Sequence, residues 1–342
     1  MQLIKTPTKG MNDYLPRETR LREYVKGVII RAYEKNGFSM IETPAVEHIE
    51  NLTGKNGGDN EKLIFKIMKR GEKLNEAAGN DAELCDSGLR YDLTVPLSRY
   101  YANNQAKLPS PFMAMQIGNV WRADRPQKGR FRQFTQCDID ILGDSTQLAE
   151  ITLISATTGV LRELGFDNFT VRINDRRLLK VCADYCGFKP EDCDKVFITL
   201  DKMDKIGLDG VKRELVEEDF DEASVEKYVA LYENCDAVSV SEFAADRLGG
   251  NGADIAASLE SIMRCATAAT AGGCSLNFDP TLVRGMSYYT GTIFEISMDG
   301  YGYSVGGGGR YDEMLAKFSG QKTPACGFSL GFERIVAALA DR

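Results

Sequence analysis

Apolar residues recur every three to four positions from Arg17 to Lys35, with Leu21, Tyr24, Val25, Val28, Ile29, Ala32 and Tyr33 on one side. This predicts an amphipathic helix opened by Pro16 and stopped by Gly37. A strand over Phe38–Thr43 ends at Pro44, and a second is expected over Leu63–Met68. Leu89–Thr94 reads as a strand feeding a helix that starts at Val95-Pro96, where proline is tolerated, and runs to about Asn103. Met113–Trp121 is strand-like, Arg122–Arg130 is a loop punctuated by Pro126 and Gly129, and the chain then returns as a strand. Between Phe131 and Leu142 the side chains alternate. Phe131, Cys137, Ile139 and Ile141 take one face, and Arg132, Phe134, Gln136, Asp138 and Asp140 the other. Asp144 or Ser145 caps a helix to Leu164, Gly165 ends it, and a strand follows over Phe169–Asn174. From 176 to 271 only helical periodicity is found. Strands resume at Ser275–Phe278, Tyr289–Met298 and Tyr303–Val305, and the run Gly306–Gly309 reads as the point where a strand gives way to a helix. Gly327–Arg334 leads into a last apolar helix, Ile335–Leu339.

The hairpin around Arg122–Arg130 carries the densest candidate chemistry. Arg122, Arg125, Lys128 and Arg130 offer forks and point charges suited to phosphate oxygens, and Phe134 offers a plane on which a base can stack. The same residues suit a solvated basic tip above a half-buried strand, and spacing alone does not choose between the two. Asp92 and Thr94 share a face that suits an ammonium group, or equally serve as caps at a strand–helix junction.

Composition narrows the field. With 342 residues and 43% apolar side chains, the chain is long enough for a main domain plus an insertion. Fifty acidic against 42 basic residues give a net charge of −8, against a nucleic-acid binder held by its overall field. Nine cysteines without disulfide-like or CxxC spacing, and no apolar leader, point to a reduced, cytoplasmic protein. Cys182, Cys186 and Cys193 would make a meagre metal site, since His48 is the only histidine, and they read instead as buried thiols. No run reaches membrane-spanning length.

Specific segments carry a resemblance. The helix–strand–Pro44 unit is similar to motif 1 of class II aminoacyl-tRNA synthetases, Trp121–Arg132 to motif 2 and Gly327–Leu339 to motif 3. Four further segments narrow the match: Leu89-Arg90-Tyr91-Asp92-Leu93-Thr94; Arg125-Pro126-Gln127-Lys128-Gly129-Arg130; Leu282-Val283-Arg284-Gly285 with Tyr288-Tyr289-Thr290-Gly291; and Gly307-Gly308-Gly309-Arg310-Tyr311-Asp312. On these the chain is identified as a member of the histidyl-tRNA synthetase family, from about Lys9 to Leu339. It departs at Ser287, where the family has an acidic residue. The family also continues past motif 3 into an anticodon-binding domain, so this sequence, which stops at Arg342, reads as the catalytic region without that domain.

The resemblance implies an α+β fold, an antiparallel sheet flanked by helices, with catalytic-domain residues 1–175 and 272–342 and a helical insertion over 176–271. It implies ATP-dependent activation of L-histidine and transfer to histidine tRNA by a homodimer, with Mg2+ bridging the distal phosphates. Arg122 and Arg284 would be catalytic. Asp92, Thr94, Gln136, Asp140, Tyr288, Tyr289 and Tyr311 would bind histidine, and Arg122, Asp124, Arg130, Phe134 and Arg334 would bind ATP. One alternative is a non-catalytic paralogue serving as regulatory subunit of ATP phosphoribosyltransferase, favoured by the short chain but not by the phosphate-binding arginines. Another, a class II synthetase for a different amino acid, leaves Asp140 and the paired tyrosines without a purpose.

Overall fold

The computed structural model describes residues 3–53, 59–80, 83–126, 130–235, 238–284 and 288–342; Gln127, Lys128, Gly129, Gly285 and Ser287 lie outside them. The elements run in chain order from α1 (Pro16–Lys35), β1 (Ser39–Met40), β2 (Val46–His48), α2 (Ile49–Leu52), β3 (Lys66–Met68) and α3 (Glu72–Glu76) to β4 (Cys85–Leu89) and α4 (Thr94–Asn104). Next come β5 (Phe112–Trp121), β6 (Gln133–Leu142), α5 (Leu148–Glu163) and β7 (Phe169–Asp175). The helices α6 (Arg176–Cys186), α7 (Cys193–Leu200), α8 (Met203–Glu217), α9 (Glu222–Tyr232), α10 (Val240–Glu242) and α11 (Ala253–Ala269) follow. The chain closes with β8 (Ser275–Phe278), β9 (Thr292–Met298), β10 (Ser304–Arg310), α12 (Ala316–Ser319), β11 (Ala325–Gly331) and α13 (Phe332–Ala340). Eight strands form one mixed sheet in the order β1-β5-β6-β11-β10-β9-β7-β8, and β2-β4-β3 form a small second sheet.

The chain divides into two compact units, one of Met1–Ile139, Leu315–Gln321 and Ser329–Arg342, the other of Asp140–Met314 and Lys322–Phe328. In the first, Pro16 opens α1 and the Glu18 carboxylate accepts the Leu15 N–H at 2.8 Å. Val25, Val28, Ile29, Ala32 and Tyr33 are buried along its inner face. The strand expected over Phe38–Thr43 shortens to β1, paired parallel to β5 with Ser39 opposite Ala114. Beyond Ile41 the backbone is drawn elsewhere: the Thr43 carbonyl accepts from Arg90 at 2.7 Å, and Pro44 has no N–H for a ladder. Leu89–Thr94 is likewise not one strand. β4 ends at Leu89, and Asp92 Oδ1 accepts the Val95 N–H at 3.0 Å, so α4 starts early.

Two buried arginines tie this unit together. Arg22 of α1 donates to both oxygens of Glu333 on α13, at 2.5 and 2.8 Å, between the rings of Tyr14 and Phe332. Glu333 also accepts the Thr135 N–H at 3.1 Å, so this carboxylate orients the start of β6. Arg90 donates to the Asn119 carbonyl at 2.8 Å, and a Cβ on Gly118 would lie 2.4 Å from its guanidinium. A buried guanidinium whose donors are met is tolerated, whereas one deprived of them is costly.

In the second unit, β9 lies antiparallel between β7 and β10, and β8 runs parallel to β7 on its other side. Leu153, Ile154, Ala156, Val160 and Leu161 bury the inner face of α5. Asp175 accepts the Arg177 N–H at 2.8 Å to cap α6, which Gly187 ends at φ +98°. Cys182, Cys186 and Cys193 are buried, and burial pushes the first two thiols up to about 12 and about 11, the behaviour of core thiols.

The glycine run does not open a helix. Gly306–Gly309 lie inside β10, and the reason is distance: a Cβ on Gly308 would stand 2.0 Å from the Gly327 carbonyl oxygen, and one on Gly309 would stand 2.5 Å from the Thr292 carbonyl oxygen. Among the described residues no helix is long and apolar enough to cross a membrane.

Gly308→Ala is expected to destabilise the protein by about 3 kcal/mol or more, because the new methyl group meets backbone that cannot yield. Gly159→Ala, inside α5 with no atom within 4 Å of the added Cβ, should instead stabilise by roughly 0.5–1 kcal/mol. Denaturant unfolding of both variants checks the contrast; equal midpoints would contradict the close-approach reading.

Candidate active site

In the first unit the candidate groups gather on β6, the end of β5 and the β4–α4 connection. Arg122, just past β5, donates through Nε to the Tyr91 carbonyl at 2.8 Å, and its guanidinium carbon lies 5.1 Å from the centre of the Phe134 ring. One nitrogen anchored and one face on an aromatic ring fix the direction of the fork. Asp124 lies 3.4 Å from the exposed Arg130, and Arg132 Nε donates to the Asp124 carbonyl at 3.0 Å, bracing the return of the loop. Arg334 sits half-buried in the first turn of α13.

Beside this lies an acceptor cluster. Asp92 is 3% exposed; Oδ1 takes the Val95 N–H, while Oδ2 is buried with no hydrogen-bond partner. Gln136 donates through Nε2 to Asp138 at 3.2 Å and to Ser329 Oγ at 3.2 Å, which leaves its buried Oε1 with no partner either. Buried polar atoms are nearly always satisfied, yet among the described residues these two acceptors have no donor. The helix-start reading of Asp92 is met by Oδ1, which accepts the Val95 N–H at the start of α4. Thr94, the first residue of α4, is buried too. Burial raises the Asp92 carboxyl above the ordinary carboxylate range, opposed by the Val95 N–H and the charge of Arg122. Burial likewise pushes Asp138 up to about 7, opposed by Ser329 and reinforced by the charge of Asp92.

The second unit assembles an aromatic cup. Tyr311 donates to Asp140 Oδ1 at 2.5 Å; its ring meets that of Tyr288 edge-on at 5.9 Å, and Tyr288 lies 4.8 Å from Tyr289. A Cβ on Gly327 would stand 2.0 Å from Asp140 Oδ1, so glycine there makes room for the carboxylate. Arg284 donates to Glu295 Oε2 at 2.6 Å, and its buried Nε has no partner among the described residues. Its guanidinium fits against Gly307, where a Cβ would be 2.5 Å from Nη1.

All the expected site residues fall within the described segments, and the geometry groups them as Arg122 with Phe134, Asp92 and Gln136 as open acceptors, and Asp140 with the three tyrosines. Sequence reading missed Glu295 and the part played by Asp138. A lone carboxylate between Phe294 and Ile296, in a strand with no other charged residue, was the available signal for the first.

The family model for histidyl-tRNA synthetase matches residues 10–335. A histidine–tRNA ligase of Leifsonia xyli subsp. xyli is 49% identical over 342 residues, covering 97% of this chain and 79% of its own. A Tropheryma whipplei protein named "Probable histidine–tRNA ligase" is 42% identical over 360 residues, covering 98% and 80%. The crystal structure of histidyl-tRNA synthetase from Nostoc sp. PCC 7120 superposes with a TM-score of 0.83 at 27% identity, covering 99% of this chain and 76% of that one.

The position of Asp138 predicts a pH dependence. A carboxyl whose folded pKa is raised favours the fold fully below its unfolded value of about 3.9, and that contribution is lost as pH rises through about 7. Relative to Asp138→Asn, the wild-type protein should therefore lose stability on the order of 1 kcal/mol per pH unit between about pH 4 and pH 7. Unfolding free energies of the two proteins across that range check it, and a constant difference would contradict it.

Proposed function

The chain belongs to the histidyl-tRNA synthetase family, and on that premise we propose that it uses ATP to activate L-histidine as histidyl-adenylate and then passes the histidine to its tRNA. The observation that carries this reading is the pair of buried acceptors without donors, Asp92 Oδ2 and Gln136 Oε1. An α-ammonium group brings three N–H donors and a positive charge, which these atoms match, with the Thr94 hydroxyl as a further acceptor. The imidazole would meet the Asp140–Tyr311 pair, with Tyr288 and Tyr289 alongside. A carboxylate and phenols can hydrogen-bond both ring nitrogens, and a site built so penalises apolar side chains that leave those groups unpaired.

For ATP, Phe134 would stack on adenine, while Arg130 and Arg334 would hold the distal phosphates and Asp124 would keep Arg130 in place. Arg122 would bring the α-phosphate and the amino acid's carboxylate together. A carboxylate oxygen then attacks the α-phosphorus, the bond to the bridging oxygen breaks, and pyrophosphate leaves with its electron pair. Arg284, with its buried Nε open, would neutralise charge on the α-phosphate as it develops. Such chemistry depends mainly on positioning and charge. In the second step a terminal ribose hydroxyl of the tRNA attacks the histidyl carbonyl and AMP leaves.

Magnesium would accompany the nucleotide. It would supply positive charge against the distal phosphates, and among the described residues no group of three or more His, Cys, Asp or Glu side chains is arranged to hold a metal ion. A subunit that only sensed histidine would use the ammonium, carboxylate and imidazole groups but would have no task for Arg130, Arg284 or Arg334 as phosphate ligands. The proposal extends to a cytoplasmic homodimer paired through α1 and β1, to catalytic segments 1–175 and 272–342, and to the helical insertion 176–271 as a surface toward tRNA.

Arg284→Ala should leave histidine binding largely intact while lowering histidine-dependent ATP–pyrophosphate exchange by about 10²-fold or more, since its contribution is made in the transition state. Arg284→Lys should also be poor, because an ammonium cannot reproduce the fork. Unchanged exchange in Arg284→Ala would remove this assignment.

A further inference from the structure

We propose that Arg172 and Glu295 are positioning residues for the activation step, acting through Arg284; this rests on the activity proposed above. Arg172 of β7 and Glu295 of β9 are direct cross-strand partners in the antiparallel pair. Glu295 divides its carboxylate between two arginines: Oε2 accepts from Arg284 Nη1 at 2.6 Å, and Oε1 lies 3.5 Å from Arg172 Nη1. Arg172 is held from its other side, with Nε and Nη2 each 2.5 Å from Asp279 Oδ2. Asp279 is fixed in turn, because Oδ1 accepts both the Thr281 N–H at 2.9 Å and the Thr281 hydroxyl at 2.7 Å. The result is a line of alternating charge, Asp279–Arg172–Glu295–Arg284, anchored at the end farthest from the catalytic arginine.

The segment that carries Arg284 is bound to the same strand by a second route. Asn174 of β7, fully buried, donates to the carbonyls of Pro280 and Leu282, each at 3.1 Å. Its backbone is thereby held two residues before Arg284, and the side chain is held by Glu295. The family's acidic residue near this arginine is a serine here, Ser287, so among the described residues Glu295 is the carboxylate within hydrogen-bonding distance of Arg284.

The division of Glu295 matters for catalysis. A carboxylate that also faces Arg172 has its second oxygen engaged, so it holds Arg284 through one nitrogen and leaves the rest of the fork for the substrate phosphate. Without Arg172 that second oxygen is released, and Glu295 can swing or close on Arg284 with both oxygens. Either movement turns the guanidinium from its aim, and misplacement on the scale of an ångström is sufficient to lower a rate substantially. All four members are half-buried, where removal of one charge is poorly screened by solvent.

The test is a double-mutant cycle in histidine-dependent ATP–pyrophosphate exchange. Arg172→Met is expected to lower kcat about 10- to 100-fold with KM for histidine and ATP changed less than about threefold, because the loss falls on a group that acts in the transition state. The double variant Arg172→Met with Arg284→Ala should be no slower than Arg284→Ala alone, since Arg172 then has nothing left to position. Glu295→Gln, nearly isosteric and leaving the Arg172–Asp279 pair intact, should reproduce both results should Arg172→Met fail to fold. Losses that multiply, or a full wild-type kcat in either single variant, would overturn the proposal. Absence of exchange in the wild-type protein would instead overturn the activity on which it rests.

Discussion

The second unit depends on how closely β10 can approach what lies on either side of it. Three consecutive glycines allow that approach in different directions: Gly308 toward the backbone of β11, Gly309 toward that of β9, and Gly307 toward the guanidinium of Arg284. A methyl group at Gly308 would lie 2.0 Å from a carbonyl oxygen. Strand glycines ordinarily weaken a sheet by their entropy and missing side chain. Here that cost is outweighed, because Cβ atoms would displace both the neighbouring strands and Arg284. Gly327 repeats the device where Asp140 needs space.

Around this frame the protein separates polar groups that finish the fold from polar groups left unfinished. Arg22 with Glu333, Arg90 with the Thr43 and Asn119 carbonyls, and Arg310 with Glu150 at 2.7 Å are buried or half-buried charges whose partners are all present. Asp92 Oδ2, Gln136 Oε1 and Arg284 Nε are buried and lack them. An unmet buried donor or acceptor costs on the order of 1–3 kcal/mol, so each atom of the second group lowers the stability of the unit that holds it. Asp138, pushed up to about 7 by its burial, accepts from the amide nitrogen of Gln136 and so leaves that side chain's oxygen as the unmet end.

Much of this was legible in the sequence wherever one physical signal dominated. The helical period of Arg17–Lys35 and the alternation of Phe131–Leu142 led to α1 and β6, and β6 carries the Phe134 ring 5.1 Å from the Arg122 guanidinium carbon. Errors arose where long-range contacts override a local pattern. Gly306–Gly309 looked like a strand end because nothing local reveals that β11 and Arg284 press on the strand from outside. Leu89–Thr94 looked like one strand because Asp92 was read by its face, whereas its capping bond to Val95 ends the strand early. Glu295 escaped notice because a single carboxylate in a strand has no periodicity, and its meaning appears only with Arg172 opposite and Arg284 beside it.

In the proposed activity the histidine ammonium supplies the donors that Asp92 Oδ2 and Gln136 Oε1 lack. Pyrophosphate exchange into ATP by the wild-type protein, measured with L-histidine and with L-phenylalanine, tests that claim most directly. The account predicts exchange that depends on histidine and is at least about 10³-fold weaker with phenylalanine, whose ring leaves Asp140 and the tyrosines unpaired. Calorimetric binding of histidine without any histidine-dependent exchange would contradict it, and would mark the protein as one that recognises the amino acid without activating it.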